Sequence, residues 1–118
     1  MNILVVDDSI FVRQFMKKYL LEIKKDLEIN FAASGEEGFG VYLDKKPSLI
    51  ITDLLMPGMG GEAFIKAVRE IDHETKIVVL SADIQKIVRD EIKSLGISAF
   101  LNKPINRENI FAIFALIC

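Results

Sequence analysis

Three runs of consecutive apolar residues, at positions 3–6, 49–51 and 77–80, constrain the fold of this chain more than any other feature. None of them alternates with polar residues, so each is typical of a strand that is buried on both faces. Strands of this kind occur mostly in parallel sheets, where helices cover both sides. The runs therefore predict an α/β fold.

The segments between these runs show helical patterning. Apolar residues recur there at helical spacing, and Ser9 can cap the first helix. Gly96 is expected to cap the fourth helix at its C-terminus. Five helices are predicted. The first follows Ser9, the second spans residues 35–45, the third is centred on Phe64 and Val68, the fourth spans residues 84–95, and the fifth begins at Asn106.

Two further predicted strands, at 28–33 and 98–102, are more polar and fit the edges of the sheet. Strand and helix alternate along the chain with short connections, which predicts a parallel sheet with helices on both faces. The strand order 2-1-3-4-5, that of the flavodoxin-like doubly wound folds, puts the three apolar strands in the centre and allows right-handed crossovers. We expect residues 1–118 to form a single domain, since the chain has 118 residues and no linker-like segment.

Polar residues follow the strands where each should leave the core. Asp7 and Asp8 follow the first strand and Asp53 the third, Ser81 ends the fourth, and Lys103 follows the fifth. The carboxyl ends of parallel strands meet at one edge of the sheet, so we expect these side chains in one crevice. Carboxylate oxygens suit Mg²⁺, and an ammonium with a hydroxyl suits a phosphoryl group. The sequence therefore predicts a site for Mg²⁺ and a phosphoryl group.

With these motifs the chain resembles a response-regulator receiver domain, the phosphoacceptor part of two-component signalling. The motifs that carry the resemblance are Asp7-Asp8, Asp53, Met56-Pro57, Ser81-Ala82 and Lys103-Pro104, in the family's order. The start Asp7-Asp8-Ser9 with Arg13 is also similar to stand-alone chemotaxis-type receivers, which implies a part in chemotaxis or motility signalling. Gly60 departs from the pattern, because many receivers carry Asp there.

The resemblance implies a role for each site residue. Asp53 would accept a phosphoryl group from the phosphohistidine of a sensor histidine kinase in a Mg²⁺-dependent reaction. Lys103 would pair with the phosphate and Ser81 would donate a hydrogen bond to it. The implied Mg²⁺ ligands are Asp7, Asp8, Asp53 and the backbone carbonyl of Leu55.

The resemblance also implies a switch. Ser81 and Phe100 would respond to phosphorylation and change the surface formed by the fourth helix, fifth strand and fifth helix, where an effector protein docks. Such a domain is not an enzyme, beyond its own phosphoryl transfer and dephosphorylation. The last helix is apolar on more than one stripe, which predicts deep packing, a homodimer contact or a chain that continues past Cys118.

Other readings of the same residues stay open at this point. One alternative is a receiver cut from a longer regulator with a DNA-binding or enzymatic output domain. A second alternative is a Mg²⁺-dependent phosphohydrolase, which usually needs a second carboxylate two residues after its nucleophile, but Leu55 occupies that position here. A third is a flavin-binding module of the same topology, whose flavin phosphate would be repelled by Asp7 and Asp8. Three of the site residues also fit purely structural roles. The carboxylate of Asp8 would favour the start of the first helix, Ser81 would be a polar residue at the end of a strand, and Phe100 would be a packed aromatic residue of an edge strand.

Composition narrows the partners and the compartment. The net charge is −2 with a sequence pI near 5.4, and the lysine pairs are interleaved with acids, which favours solvated faces over a nucleic-acid surface. Cys118 is the only cysteine, so no disulfide framework is expected. The apolar run at 3–6 is too short for a signal peptide or a membrane span. We therefore expect a cytoplasmic protein that neither binds nucleic acid directly nor inserts into a membrane.

Overall fold

The computed structural model of the protein describes residues 1–56, 58–82 and 86–117. The predicted loop residue Pro57, the helix residue Ile84 and the lone Cys118 lie outside these ranges. Within the last two helices, the side chains at 86–88 and 116–117 are also outside the description, so the apolar stripe predicted there is tested only in part.

Strands and helices alternate through the described ranges, as the sequence pattern predicts. The elements are β1 (Asn2–Val6), α1 (Ile10–Ile23), β2 (Glu28–Ala32), α2 (Gly35–Lys45), β3 (Leu49–Thr52), α3 (Gly61–Ile71), β4 (Lys76–Ser81), α4 (Lys86–Lys93), β5 (Ala99–Asn102) and α5 (Arg107–Ile117).

The sheet is parallel throughout and has the order β2-β1-β3-β4-β5, so the predicted fold is confirmed. β1, β3 and β4 lie in the centre, and the more polar β2 and β5 form the edges. Val6 pairs with Thr52, and Thr52 pairs with Val79, so the central strands end close to one level. That level is where the site residues emerge.

Alternate side chains of the central strands build two apolar clusters, one on each face of the sheet. In β1, Ile3 and Val5 pack under α1 and α5, whereas Leu4 and Val6 pack under α2, α3 and α4. This division explains why the strand has no polar alternation. Full burial of one such side chain stabilises a fold by about 1.5–3 kcal/mol.

The last helix uses one of its apolar faces for packing. Ile110 and Ile113 are fully buried in the cluster that also holds α1 residues, and Phe114 packs against it. Phe111 points away from that cluster and is 53% exposed. The described part of α5 is therefore packed on one side and leaves a large apolar ring on the other.

Some element ends differ from the prediction. Ser9 caps α1 by accepting from Val12 N–H, as predicted, and Asn106 caps α5 through Asn109 N–H at 2.8 Å. α4 ends at Lys93, two residues before the predicted end. Gly96 has φ +75° and closes the turn that follows the helix by donating to the Lys93 carbonyl at 3.0 Å, which agrees with its predicted place at this helix end. Left-handed backbone favours glycine, which is why the position looked like a cap.

A polar network fixes the amino end of the sheet, opposite the predicted site. The Asp72 carboxylate accepts from the Tyr42 hydroxyl at 2.8 Å and from the Thr75 hydroxyl. The buried guanidinium of Arg69 donates to the carbonyls of Leu95, Asp72 and Gly96 at 2.7, 3.0 and 2.9 Å. The turn after α3 is thereby tied to α2, β4 and the turn after α4.

Candidate functional site

The ends of β1 and β3, which are neighbours in the sheet, bring three carboxylates together. One oxygen from each of Asp7, Asp8 and Asp53 lies within 4.8 Å of the others. Asp7 is 2% exposed and Asp53 7%, whereas the Asp8 side chain is exposed to solvent. The sequence prediction that these residues meet at one edge of the sheet is therefore confirmed.

Lys103 enters the same crevice from the end of β5. Its Nζ lies 2.8 Å from Asp7 Oδ2 and 3.1 Å from Asp53 Oδ2. Burial lowers the pKa of Lys103, but its hydrogen bonds to Asp7 and Asp53 outweigh burial and leave that pKa raised. Lys103 is thus charged at neutral pH and holds the two buried carboxylates together. The peptide bond between Lys103 and Pro104 is cis.

Backbone amides fix the orientation of both buried carboxylates. Asp7 Oδ1 accepts from Ser9 N–H at 2.9 Å, and Asp53 Oδ1 accepts from Leu54 N–H at 2.7 Å and Leu55 N–H at 3.5 Å. Each of these carboxylates therefore keeps one oxygen toward the backbone and the other toward Lys103. The crevice is a preorganised cluster of charges.

The donor set fits a hard divalent cation. Mg²⁺ takes oxygen ligands and keeps several waters, so two or three protein oxygens are enough. The crevice also has an open side, a depression of about 500 Å³ lined by Asp8, Leu54, Leu55, Met56 and Gly60. Leu55 borders this depression and is 73% exposed.

The described contacts of the Ser81 and Phe100 side chains do not include the three carboxylates. Ser81 is the buried last residue of β4, where its carbonyl accepts from Lys103 N–H at 2.9 Å. None of the hydrogen bonds described joins its hydroxyl to Asp53. Phe100 is half-buried in β5, with the Arg89 guanidinium of α4 5.5 Å from its ring centre.

Arg13 belongs to the site in a way that the sequence pattern did not reveal. Helical spacing placed it on the polar side of α1, yet its Nη1 donates to the backbone carbonyl of Asp7 at 2.7 Å. Arg13 thus ties α1 to the strand end that carries the acidic pair. Its place one turn past the helix cap was the available signal, since a long side chain there can reach back to the preceding strand end.

Comparison with known proteins agrees with this architecture. Residues 3–115 match the model of the family described as response regulator receiver domain. The chain is similar to the chemotaxis protein CheY of Thermotoga maritima, 31% identical over 109 residues, which is 92% of this chain and 90% of that protein. It is also similar to a protein-glutamate methylesterase/protein-glutamine glutaminase of Geobacter sulfurreducens, 34% identical over 87% of this chain but only 28% of that protein.

Solved structures give the same picture. The chemotaxis response regulator CheY4 of Vibrio cholerae superposes with a TM-score of 0.86 at 31% identity, covering 99% of this chain and 98% of that one. None of the described helices is long and apolar enough to cross a membrane.

Proposed function

This chain belongs to the response regulator receiver family, and we propose that it works as a signalling switch controlled by phosphorylation of Asp53. Residues 1–118 would form one receiver domain. The observation that carries the proposal is the position of Asp53 between Lys103, 3.1 Å away, and the acidic pair at the end of β1. The phosphoryl donor would be the phosphohistidine of a sensor kinase.

In the proposed step, an Asp53 carboxylate oxygen attacks the phosphorus of the donor. A new oxygen–phosphorus bond forms, the nitrogen–phosphorus bond breaks, and its electron pair stays on the imidazole of the donor. Both Asp53 and the incoming group are anionic, so their approach needs positive charge nearby. Lys103 already contacts Asp53 and would follow the developing phosphate without a large movement.

Asp7, Asp8, Asp53 and the Leu55 carbonyl are the residues that would hold Mg²⁺. When bound, the cation supplies charge that offsets the repulsion between carboxylates and phosphoryl oxygens. Asp7 is locked by Ser9 N–H and by Lys103. Asp8 is exposed and borders the open depression, so it is better placed than Asp7 to meet a Mg²⁺ ion that enters from solvent. The Ser81 hydroxyl would donate to the phosphate after a change in its surroundings.

The output of the switch would be a protein contact. Phosphorylation would alter the surface of α4, β5 and α5, where Phe100 lies half-buried against Arg89, and an effector protein would dock there. The similarity to CheY proteins over nearly their whole length supports chemotaxis or motility as the pathway.

Two other functions are less well supported. The methylesterase relative, of which this chain covers 28%, supports the alternative of a receiver domain from a longer regulator. For a phosphohydrolase, a carboxylate would be wanted two residues after Asp53, and the exposed apolar side chain of Leu55 stands there. That chemistry would show itself as phosphate release from a generic monophosphate ester.

Labelling with a small acyl phosphate and Mg²⁺ tests the proposal. Intact-mass measurement should find the mass of one added phosphoryl group on the wild type and none on Asp53→Asn. Asp44→Asn, at an exposed aspartate of α2, is the control and should label like the wild type. Undiminished labelling of Asp53→Asn would refute the assignment.

A further inference from the structure

The loop that follows Asp53, described at residues 54–56 and 58–60, is held at its far end by the N-terminus of α2. Gly35 N–H donates to the Met59 carbonyl at 3.0 Å, and Met59 N–H donates to Glu36 Oε1 at 2.6 Å. One residue of the loop thus has both of its backbone groups bound by two consecutive residues of α2. The sequence pattern gave no hint of this contact, since Glu36 looks like an ordinary acid in the first turn of a helix.

The close approach depends on the absence of side chains on both partners. A Cβ at Gly35 would lie 2.4 Å from the Met59 carbonyl oxygen, which is far inside contact distance. Gly58 has φ +71°, and a Cβ there would lie 2.7 Å from Glu36 Oε1. A side chain at Gly35 would push the helix away from the Met59 backbone, and one at Gly58 would displace the Glu36 carboxylate that accepts from Met59. The contact is therefore built into the chain and is not a chance meeting of surface groups.

The near end of the same loop carries the site. Leu54 N–H and Leu55 N–H donate to Asp53 Oδ1, and Gly61 N–H donates to the Leu54 carbonyl at 3.0 Å. The Leu55 carbonyl, a proposed metal ligand, lies between these hydrogen bonds and the Met59 contact. A loop fixed at both ends keeps that carbonyl at one distance from Asp53. If the Met59 end were released, this part of the loop would keep only the hydrogen bonds of Leu54 and Leu55 N–H to Asp53 and of the Leu54 carbonyl to Gly61 N–H.

We propose that Glu36 is a positioning residue for the metal site, which it serves by holding the segment at 58–60 in place through Met59. The inference rests on the proposed Mg²⁺ site. Glu36 suits the task because hydrogen bonds from its own backbone amide and from that of Met59 lower its pKa, so it is charged at neutral pH. A charged acceptor binds an amide more strongly than a neutral one.

Three variants separate this role from general support of the helix. Glu36→Ala removes the acceptor, and Glu36→Gln keeps a neutral oxygen that can accept from Met59. Glu37→Ala is the matched control, because Glu37 is an exposed acid in the same turn whose Oε2 accepts from Ala33 N–H and makes no described contact with the loop. Loss of helix charge is the same in Glu36→Ala and Glu37→Ala.

The measurements are the Mg²⁺ dissociation constant by titration calorimetry and amide hydrogen exchange at Leu54 and Leu55 in metal-free protein. Glu36→Ala should raise the dissociation constant about tenfold, the low end of what loss of an outer-shell contact costs metal sites, and should speed exchange at both amides. Glu36→Gln should recover most of the affinity, and Glu37→Ala should match the wild type in both measurements.

Wild-type affinity in Glu36→Ala, unchanged exchange at Leu54 and Leu55, or an equal loss of affinity in Glu37→Ala would each overturn the inference. A wild-type protein that takes up no Mg²⁺ would overturn the proposed function instead. Because the exchange measurement is made without metal, it would still decide whether Glu36 holds the loop.

Discussion

The ammonium of Lys103 lies between the carboxylates of Asp7 and Asp53, 2.8 Å from the first and 3.1 Å from the second. One cation from the end of β5 thus compensates two buried anions from the ends of β1 and β3. The arrangement stabilises the fold and prepares the site at once, so changes to it should affect both.

Replacing Lys103 by methionine should destabilise the metal-free protein by about 2 kcal/mol near neutral pH, because two buried carboxylates lose their partner. The pKa of Lys103 is raised in the fold, so the stability it contributes is complete below the unfolded lysine value of about 10.4 and is lost as pH rises through the higher folded value. Urea unfolding of both proteins should show a constant gap up to about pH 9 that narrows at more alkaline pH.

The control for Lys103 is Lys66→Met. Lys66 forms an exposed ion pair with Glu62 at 3.1 Å, four residues apart on α3, and pairs of that kind contribute about 0.5 kcal/mol or less. Equal losses in the two variants would contradict the special role of Lys103.

Asp8→Ala should raise the melting temperature in EDTA. Asp8 makes no hydrogen bond with the described residues, yet its carboxylate lies within 4.8 Å of oxygens of Asp7 and Asp53, so its removal relieves repulsion between like charges. Mg²⁺ at a hundredfold excess over its dissociation constant should stabilise the wild type by about 2.7 kcal/mol, and the variant should lose most of that gain. A variant that melts at a lower temperature in EDTA and still gains full stability from Mg²⁺ would show that Asp8 supports the start of α1 and is not part of the metal site.

Leu55→Asn should shorten the lifetime of the phosphorylated protein. Leu55 is 73% exposed beside Asp53 and has no group that can orient water, whereas an amide can both donate to and accept from an attacking water. We expect hydrolysis to speed up about threefold to tenfold, below what a positioned general base contributes. Loss of the phosphoryl mass with time measures this directly, and Leu55→Met should behave like the wild type. An unchanged or longer lifetime in Leu55→Asn would reject the role of water orientation.

Gly40→Ala should stabilise the protein by about 1 kcal/mol, because glycine is unfavourable inside a helix and a Cβ at this exposed position of α2 meets no atom within 4 Å. Gly38→Ala is the opposite case in the same helix. Its Cβ would lie 3.0 Å from Cγ2 of the fully buried Val6, so crowding should cancel or exceed the helix gain. The melting temperature should therefore rise in Gly40→Ala and stay unchanged or fall in Gly38→Ala.

Asp72→Asn should make stability less sensitive to acid. Hydrogen bonds from the Thr75 hydroxyl, and then from the Tyr42 hydroxyl and nearby amides, hold the pKa of Asp72 far below its usual value. Its contribution is therefore present above the unfolded value of about 3.9 and is lost as pH falls through the lower folded value. The variant should be less stable than the wild type at neutral pH, and the gap should begin to narrow below about pH 4 and keep closing as pH falls towards the lower folded value. Parallel curves at all pH values would contradict this account.

The fold and the acidic core of the site could be predicted because both depend on rules of the parallel sheet. Apolar runs without alternation specify buried strands, and the carboxyl ends of such strands must meet, which brings Asp7, Asp53 and Lys103 together. The contacts of Arg13 and Glu36 could not be predicted in this way. Each joins a helix to a neighbouring backbone group, and that depends on side-chain conformation and on the distance between elements, which spacing along the sequence does not encode.

The sheet order makes the site unequal in stiffness. Asp7 and Asp53 follow β1 and β3, which are hydrogen-bonded to strands on both sides, whereas Lys103 follows β5, which pairs with β4 alone. The two carboxylates therefore follow central strands of the sheet, whereas the lysine follows an edge strand. We expect a change of charge at Asp53 to act on all three residues and β5 to yield first, because it is hydrogen-bonded to a strand on one side only. Phosphorylation of the proposed site would therefore move Lys103 more than it moves the carboxylates of Asp7 and Asp53.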